Sequence, residues 1–341
     1  MPAGKSHKGA PAADPAIGGD RIGALPDEIL HRILSFLPAQ QAVRTCVLAR
    51  RWIHLWKYAT GLRIVGADGN APVPFEEVHE FVDSLLLLRG SSPLETFDVR
   101  VAGAAVDVRH LTLWVRYGMI CNVQVLRLEV HGNAPALLRF EDPPLASRHL
   151  TKLELRGLAF NKDFLDFSRC PAIQDLIIKE CSFKHAERIL SQSLKHINIV
   201  RGIFNNLSSR TPIHTPNLAS LKLHVSGGRT PILDRMPLLV SADVLINSCD
   251  SCSRSDNGDC GDESCKGCIP NDTSSVLLHG ISEAEKLLLA SGTKTVYLQL
   301  KQSYSCSPYF KHHAYLKDLL IYMAATCPVY FQEGLEMLSY F

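Results

Sequence analysis

The sequence predicts an α/β protein in which a short helical module precedes a curved parallel sheet. Two patterns lead to this fold class. Apolar residues recur at spacings of three and four between residues 25 and 58, which is typical of helices, and a strand-like apolar unit then recurs along most of the remaining chain. With 341 residues, of which 46% are apolar and 21% charged, the chain is long enough for about two domains with a sizeable core.

The helical module begins at a proline followed by acidic residues. Pro26 suits the first turn of a helix and Pro38 stops it, so a first helix is predicted over residues 27–37. Two further apolar runs predict helices over residues 39–47 and 49–58. Three such helices bury too small a fraction of their surface to be stable alone, and their apolar side chains cover more than one stripe. We therefore expect the surplus apolar surface to bind a partner.

A second unit, apolar-x-x-apolar-x-apolar, recurs seven times. Its members are Leu94/Phe97/Val99, Val123/Leu126/Leu128, Leu150/Leu153/Leu155, Ile173/Leu176/Ile178, Leu194/Ile197/Ile199, Leu218/Leu221/Leu223 and Leu239/Ala242/Val244. The steps between first positions are 29, 27, 23, 21, 24 and 21 residues, a period that matches leucine-rich repeats. One short strand per repeat cannot bury its apolar side alone, so the repeats are predicted to stack into a solenoid with helices and loops on its outer side.

These patterns divide the chain into five segments. They are a disordered leader at 1–19, the helical module at 20–61, a connecting strand and helix at 62–93, the repeats at 94–326 with a Cys-rich insertion at 248–273, and an irregular tail at 327–341. The leader lacks the apolar run of a secretory signal, and no stretch approaches the ~20 apolar residues of a membrane span. We expect a protein of the cytoplasm and/or nucleus whose thiols are mostly reduced.

The charge balance excludes two classes of partner. Lys and Arg number 36 and Asp and Glu 34, which leaves a net charge of +2. A chain so close to neutral carries no electrostatic signature of a nucleic-acid or membrane partner, and neither is predicted.

The helical module also follows an ordered series of apolar, Pro, Arg and Trp residues. They are Leu25, Pro26, Ile29, Leu30, Ile33, Leu34, Leu37, Val43, Arg44, Thr45, Cys46, Val47, Leu48, Arg50, Arg51, Trp52, Leu55 and Trp56. This series resembles the F-box of plant F-box proteins with leucine-rich repeats. The order of segments, with a Phe-Glu-Glu-Val helix between the module and the Leu-rich strands, is also similar to that family.

The resemblance implies that the module docks to a Skp-type linker protein and, through it, to a cullin ubiquitin ligase. The predicted linker contacts are Leu25, Pro26, Ile29, Leu30, Ile33, Leu37, Val43, Val47, Leu48, Trp52 and Trp56. The chain would then be the substrate-recognition adaptor of an SCF-type ligase, with its repeats holding an unknown protein substrate. Two alternatives stay open: a receptor that needs a small molecule to complete its substrate site, and an F-box-like binding protein outside any ligase.

Side chains that flank the repeated apolar positions should point to the concave face of the sheet, because side chains alternate along a strand. Six basic and four acidic residues mix there, without the arginine cluster that binds a phosphate group. The predicted substrate contacts are Arg127, Lys152, Arg156, Lys179, His196, Lys222 and His224.

The insertion at 248–273 carries the one pattern that suggests a cofactor. Its cysteines are Cys249, Cys252, Cys260, Cys265 and Cys268. Two Cys-x-x-Cys pairs separated by twelve residues could hold a structural zinc ion as thiolates. The alternative is a flexible reduced loop, which the Ser, Gly and Asp content favours. No other cofactor is predicted, and the absence of a phosphate-binding loop, dinucleotide fingerprint or nucleophile elbow predicts a protein that is not an enzyme.

Overall fold

The computed structural model describes residues 22, 24–104, 106–132, 136–138, 145–160, 162–206, 210–246 and 277–291. The predicted leader, Cys-rich insertion and irregular tail lie outside these residues. Among the helices of the described part, none is long and apolar enough to cross a membrane.

The N-terminal module, residues 25–60, is helical but less regular than predicted. Helix α1 spans Asp27–Ser35 and α2 spans Ala39–Arg44. Three 3₁₀ segments follow, at Thr45–Val47, Arg50–Ile53 and Leu55–Tyr58. The third predicted helix is therefore two short turns. Its continuity is broken because Ala49 is extended and the φ angle of His54 is −116°, so i→i+4 hydrogen bonding does not propagate.

The remaining elements alternate strands with helices or irregular segments. In chain order they are β1 Gly61–Ile64, β2 Val73–Pro74, α3 Phe75–Arg89, β3 Thr96–Ala102, α4 Val108–Ile120, β4 Val125–His131, β5 Ala136–Leu138, β6 Lys152–Arg156, β7 Leu158–Phe160, β8 Asp175–Lys179, β9 Ile189–Leu190, β10 His196–Phe204, β11 Pro212–His214, β12 Ser220–Gly228, β13 Ile232–Leu233, β14 Ser241–Ile246, α5 Leu278–Ile281 and β15 Lys286–Ser291.

The strands form one long parallel sheet and two small ones. The main sheet runs β1-β3-β4-β6-β8-β10-β12-β14-β15, with β2 also paired to β3. Strands β9, β11 and β13 form a second parallel sheet, and β5 pairs with β7. The small sheets come from the segments that connect the main strands, and their residues Ile189, Ile213 and Leu233 belong to the same apolar core. This is the predicted α/β solenoid.

The pairing register confirms the repeat unit. Its second apolar residues lie on one continuous rung: Phe97, Leu126, Leu153, Leu176, Ile197, Leu221 and Ala242. All 21 residues of the seven units are at most 3% exposed. Leu62 of β1 and Leu287 of β15 continue the rung at its two ends. The strand predicted as a connector is therefore the first strand of the sheet.

Two longer helices cover the first repeats. Helix α3 starts after Pro74 and ends before Gly90, whose φ is +68°. Helix α4 starts at Asp107, whose carboxylate accepts a hydrogen bond from the amide of Arg109. The longest repeat step, 29 residues, contains α4, whereas each connection from β4 to β14 contains a short strand in its described part. The change in repeat length thus follows the change from helix to short strand.

The N-terminal module packs directly on the first edge of this sheet. The guanidinium of Arg63 in β1 donates to the carbonyl oxygen of Phe36 at 2.8 Å, and the Gln41 amide donates to the Ala67 carbonyl at 3.1 Å. Arg89, only 4% exposed, donates from the end of α3 to the carbonyl of Ala59 at 2.9 Å and to the hydroxyl of Tyr117 at 3.0 Å. Hydrogen bonds between side chains and backbone carbonyls thus connect the module with β1, the segment after it and α3.

A glycine between β6 and β7 allows two backbones to approach closely. Gly157 has φ +69°, and a Cβ placed there would lie 1.9 Å from the carbonyl oxygen of Val130. We predict that Gly157→Ala lowers the free energy of unfolding by about 2 kcal/mol or more, from the left-handed backbone and the clash together. The control is Gly69→Ala, where φ is +80° but the nearest atom is 3.9 Å away. It should cost about 1 kcal/mol. Equal urea midpoints for the two variants would contradict this assignment.

Candidate docking and target-binding surfaces

The N-terminal module leaves a set of large apolar side chains exposed. Ile29, Ile33 and Phe36 follow one another at spacings of four and three along α1, and the Phe36 side chain is 65% exposed. Val47 and Leu48 of the next segments are 83% and 66% exposed, and Ile53 is also exposed. We call these six residues the apolar docking surface. Exposed apolar area of this kind on a small helical unit marks a partner site.

Side-chain burial divides the eleven predicted linker contacts into three groups. Pro26, Ile29, Ile33, Val47 and Leu48 are exposed, and Leu25, Leu37 and Val43 are partly buried against the core. Leu30, Trp52 and Trp56 are core residues, 0%, 7% and 8% exposed.

The prediction that Leu30, Trp52 and Trp56 form part of the contact surface is therefore corrected. Leu30 lies on the side of α1 that packs inward with Leu34, and the two tryptophans bury their rings under the 3₁₀ segments. Conversely, Phe36 and Ile53 were not predicted as contacts, although both lie in apolar runs of the sequence. Spacing alone could not separate inner from outer side chains, because Ile29, Leu30, Ile33 and Leu34 share one wide apolar face of α1. The 3₁₀ segments, in addition, do not keep helical periodicity.

Arg51 fixes the start of α1 against the third helical run. Its guanidinium donates to the carbonyl oxygen of Leu25 at 2.7 Å and to Asp27 Oδ1 at 2.9 Å from Nε. The Leu25–Pro26 turn is thus held by a charge-assisted contact from a residue 26 positions later.

The face of the main sheet opposite its buried apolar rung, which the repeat pattern predicts to be concave and which we call the concave face, carries a network of ion pairs across its first strands. Asp98 on β3 accepts from Arg100 at 3.0 Å and from Arg127 of β4 at 3.2 Å. Arg127 also donates to Glu154 of β6 from Nε at 2.7 Å and from Nη2 at 3.0 Å. Lys152 Nζ lies 2.8 Å from the same Glu154 carboxylate. Each carboxylate is shared by at least two cations.

The network shifts the pKa values of its members. Burial alone raises the pKa of Glu154, but hydrogen bonds from Arg127 and Lys152 outweigh burial and hold the pKa at about 2. The hydrogen bond to Glu154 likewise raises the pKa of Arg127 above its ordinary value. Both groups therefore stay ionised at neutral pH.

Four of the other five predicted substrate contacts also form ion pairs with carboxylates. Arg156 pairs with Glu180 at 2.9 Å, and His196 Nδ1 lies 2.8 Å from Asp175. Lys222 and His224 share Asp243 at 2.9 and 3.1 Å; these hydrogen bonds lower the Asp243 pKa although burial opposes the shift. Lys179 is exposed and has no ion pair within the described part of the chain. All seven residues are on the concave strands, as predicted, and six of them are already paired.

A shallow depression lies on this face where β6, β8, β10 and β12 run side by side. Its volume is about 340 Å³. The residues that line it are Lys152, Asp175, Leu176, Ile177, His196, Ile197, Asn198, Ser220 and Lys222. Four of these are predicted substrate contacts or their ion-pair partners, so the depression belongs to the same surface.

The five cysteines of the predicted zinc site lie outside the described residues. Zinc binding there stays a prediction. In the described ranges, His, Cys, Asp and Glu side chains form no group of three that could hold a metal ion. Cys46, Cys121, Cys170 and Cys181 are free thiols, and burial raises the pKa of the Cys181 thiol to about 12, which keeps it protonated.

Comparison with known proteins identifies the N-terminal module. A model of the F-box domain matches residues 22–60. The chain carries an F-box, and it is similar to plant F-box proteins with leucine-rich repeats. The match coincides with the segment that exposes the apolar docking surface and that Arg63 and Arg89 join to the sheet.

Several plant relatives extend the similarity beyond the F-box. The MEIOTIC F-BOX protein MOF of Oryza sativa subsp. japonica is 30% identical over 252 residues, 67% of this chain and 51% of that protein. An F-box/LRR-repeat protein of Arabidopsis thaliana is 39% identical over 113 residues, 30% of this chain and 17% of its own length. An FBD-associated F-box protein of A. thaliana is 25% identical over 260 residues, covering 67% and 61% of the two chains. The chain thus spans less than two thirds of these relatives. No solved structure matches it significantly.

The Glu154 pair has a testable pH dependence. The folded-state pKa of about 2 lies below the ordinary 4.5, so the pair stabilises the fold above about pH 4.5 and this contribution is lost as the pH falls towards 2. We predict that Glu154→Gln is less stable than the native chain at about pH 6, and that the difference shrinks at about pH 3. Urea midpoints at the two pH values measure this. The exposed Glu77→Gln serves as control, and a constant difference for Glu154→Gln would exclude the pair as its cause.

Proposed function

We propose that the chain is a substrate-recognition adaptor of an SCF-type cullin ubiquitin ligase. The F-box would bind the Skp-type linker, and the concave sheet would bind the target protein. The exposed apolar docking surface supports this role most strongly, because Phe36, Val47 and Leu48 are large side chains that the module leaves in solvent. Burying such side chains in a partner supplies most of the affinity of a protein interface.

In this role the chain positions the target protein and catalyses no reaction itself. Hydrogen bonds from Arg63 and Arg89 fix the F-box against the first edge of the sheet, so a target on the concave face would sit at a fixed place relative to the linker. Holding the target near a ubiquitin-charged enzyme raises its effective concentration there. An SCF adaptor needs these two surfaces and a rigid connection between them.

The structure lends less support to the two alternatives. The depression on the concave face has the volume of a small-ligand site, but six of its nine lining residues are charged or polar, whereas ligand pockets are lined mainly by hydrophobic and aromatic residues. A binding protein that works outside any ligase has no linker to bind, so it would not need an apolar docking surface for a linker. Linker binding therefore distinguishes an adaptor from a protein of that kind.

The adaptor role is tested by linker capture. We predict that Ile29→Ala with Ile33→Ala weakens binding to a plant Skp-type linker about thirtyfold or more, because truncating a central apolar anchor commonly costs about 2 kcal/mol. The matched control is Leu87→Ala with Leu88→Ala, two exposed leucines of α3 outside the F-box. Binding to immobilised linker is measured by surface plasmon resonance. Equal affinities of the two double variants, or no binding by the native chain, would reject the proposal.

A further inference from the structure

The charged side chains on the first five strands of the main sheet are layered by depth. The side chains of Asp98 and Glu154 are only 7% and 11% exposed. The cations that pair with them lie further out: 24% exposure for Arg63, 28% for Arg127 and 35% for Lys152. Asp98 and Glu154 thus lie beneath their cations, which form the surface that a partner would meet, whereas Asp175 is 41% exposed.

Six cations make up this surface, which we call the cationic strip. They are Arg63, Arg100, Arg127, Lys152, Arg156 and Lys179, distributed over β1, β3, β4, β6 and β8. The concave carboxylates of the same strands are Asp98, Glu129, Glu154 and Asp175. Glu180, which directly follows β8, pairs with Arg156. Six cations against these five carboxylates leave a formal charge of +1, and two of the five, Asp98 and Glu154, are nearly buried.

We propose that the cationic strip binds an extended segment rich in Asp and Glu on the target protein. This inference rests on the proposed function, since it takes the concave sheet as the target-binding face. Carboxylates suit the strip because guanidinium groups bind them in a bidentate geometry. The guanidiniums of Arg100 and Arg127 are already oriented by Asp98 and Glu154, so little side-chain freedom remains to be lost on binding.

The dimensions of the strip define the length of this segment. Five parallel strands at a spacing of about 4.8 Å span about 19 Å, which an extended chain of about six residues covers. Lys179 at the β8 end of the strip is exposed and holds no carboxylate within the described part of the chain. An incoming acidic side chain can therefore pair with Lys179 without breaking an existing contact.

A nucleic acid fits the strip less well. Proteins that bind single strands stack the bases on aromatic side chains. On β3, β4, β6 and β8 the described concave positions hold no Phe, Tyr or Trp: they are Thr96, Asp98, Arg100, Ala102, Val125, Arg127, Glu129, His131, Lys152, Glu154, Arg156, Asp175, Ile177 and Lys179.

The proposal is tested with a fluorescent twelve-residue peptide of alternating Glu and Ser, titrated with the full-length chain and followed by anisotropy. The peptide with Gln in place of Glu is the neutral probe. We expect binding of the Glu peptide alone, weakened by added salt. Lys152→Gln with Lys179→Glu should weaken it about tenfold. The matched control is Lys162→Gln with Lys184→Glu, the same change of charge in the segments after β7 and β8, and it should bind normally.

Several outcomes would overturn the proposal. They are equal binding of the Glu and Gln peptides, equal loss in the two double variants, and tighter binding of a twelve-nucleotide single strand or a phosphoserine peptide than of the Glu peptide. Linker capture by the Lys152→Gln/Lys179→Glu variant is measured in parallel. If the native chain binds the linker but not the Glu peptide, the acidic target segment alone is rejected. If the native chain does not bind the linker, the adaptor role is rejected.

Discussion

The fold depends on one continuous rung of buried apolar side chains. Leu62 pairs with Phe97, the rung continues strand by strand to Ala242, and Leu287 follows. A shift of one residue in any strand would turn its charged side chains inward, so burial fixes the register strongly. The fixed register in turn brings Asp98, Arg127 and Glu154 side by side on three neighbouring strands. The ion network is therefore a consequence of the apolar rung.

The same rung connects the F-box to the repeats. Because β1 follows the F-box after Thr60, the first strand of the sheet and the last turn of the F-box cannot move apart without breaking the β1–β3 pairing. Arg89 strengthens this connection. Its buried guanidinium donates to the carbonyl of Ala59 and to the hydroxyl of Tyr117 in α4, and a buried cation that lost those oxygens would be costly. The apolar docking surface and the concave face are thus separate surfaces of one body.

The sequence predicted the repeats well because an apolar rung requires a regular pattern. Periodicity located every strand of the seven units and the concave position of all seven basic candidates. It did not locate the outer surface of the F-box, where Leu30, Trp52 and Trp56 are in the core and Phe36 is in solvent. Nor did it indicate the layering of charge. The alternation of side chains along a strand predicts the face on which a side chain lies. The burial of Glu154 beneath Arg127, however, depends on a neighbouring strand that is distant in the sequence.

We expect the F-box and the repeat sheet to unfold as one cooperative unit, because the β1–β3 pairing and Arg89 join them, and tryptophan fluorescence tests this directly. The chain has three tryptophans. Trp52 and Trp56 report on the F-box, so a Trp114→Phe variant isolates their signal, while far-UV circular dichroism of the same variant follows the sheet. We predict that both signals change at the same urea concentration. A fluorescence transition at a lower urea concentration than the loss of β structure would show an F-box that unfolds independently, and would contradict the account.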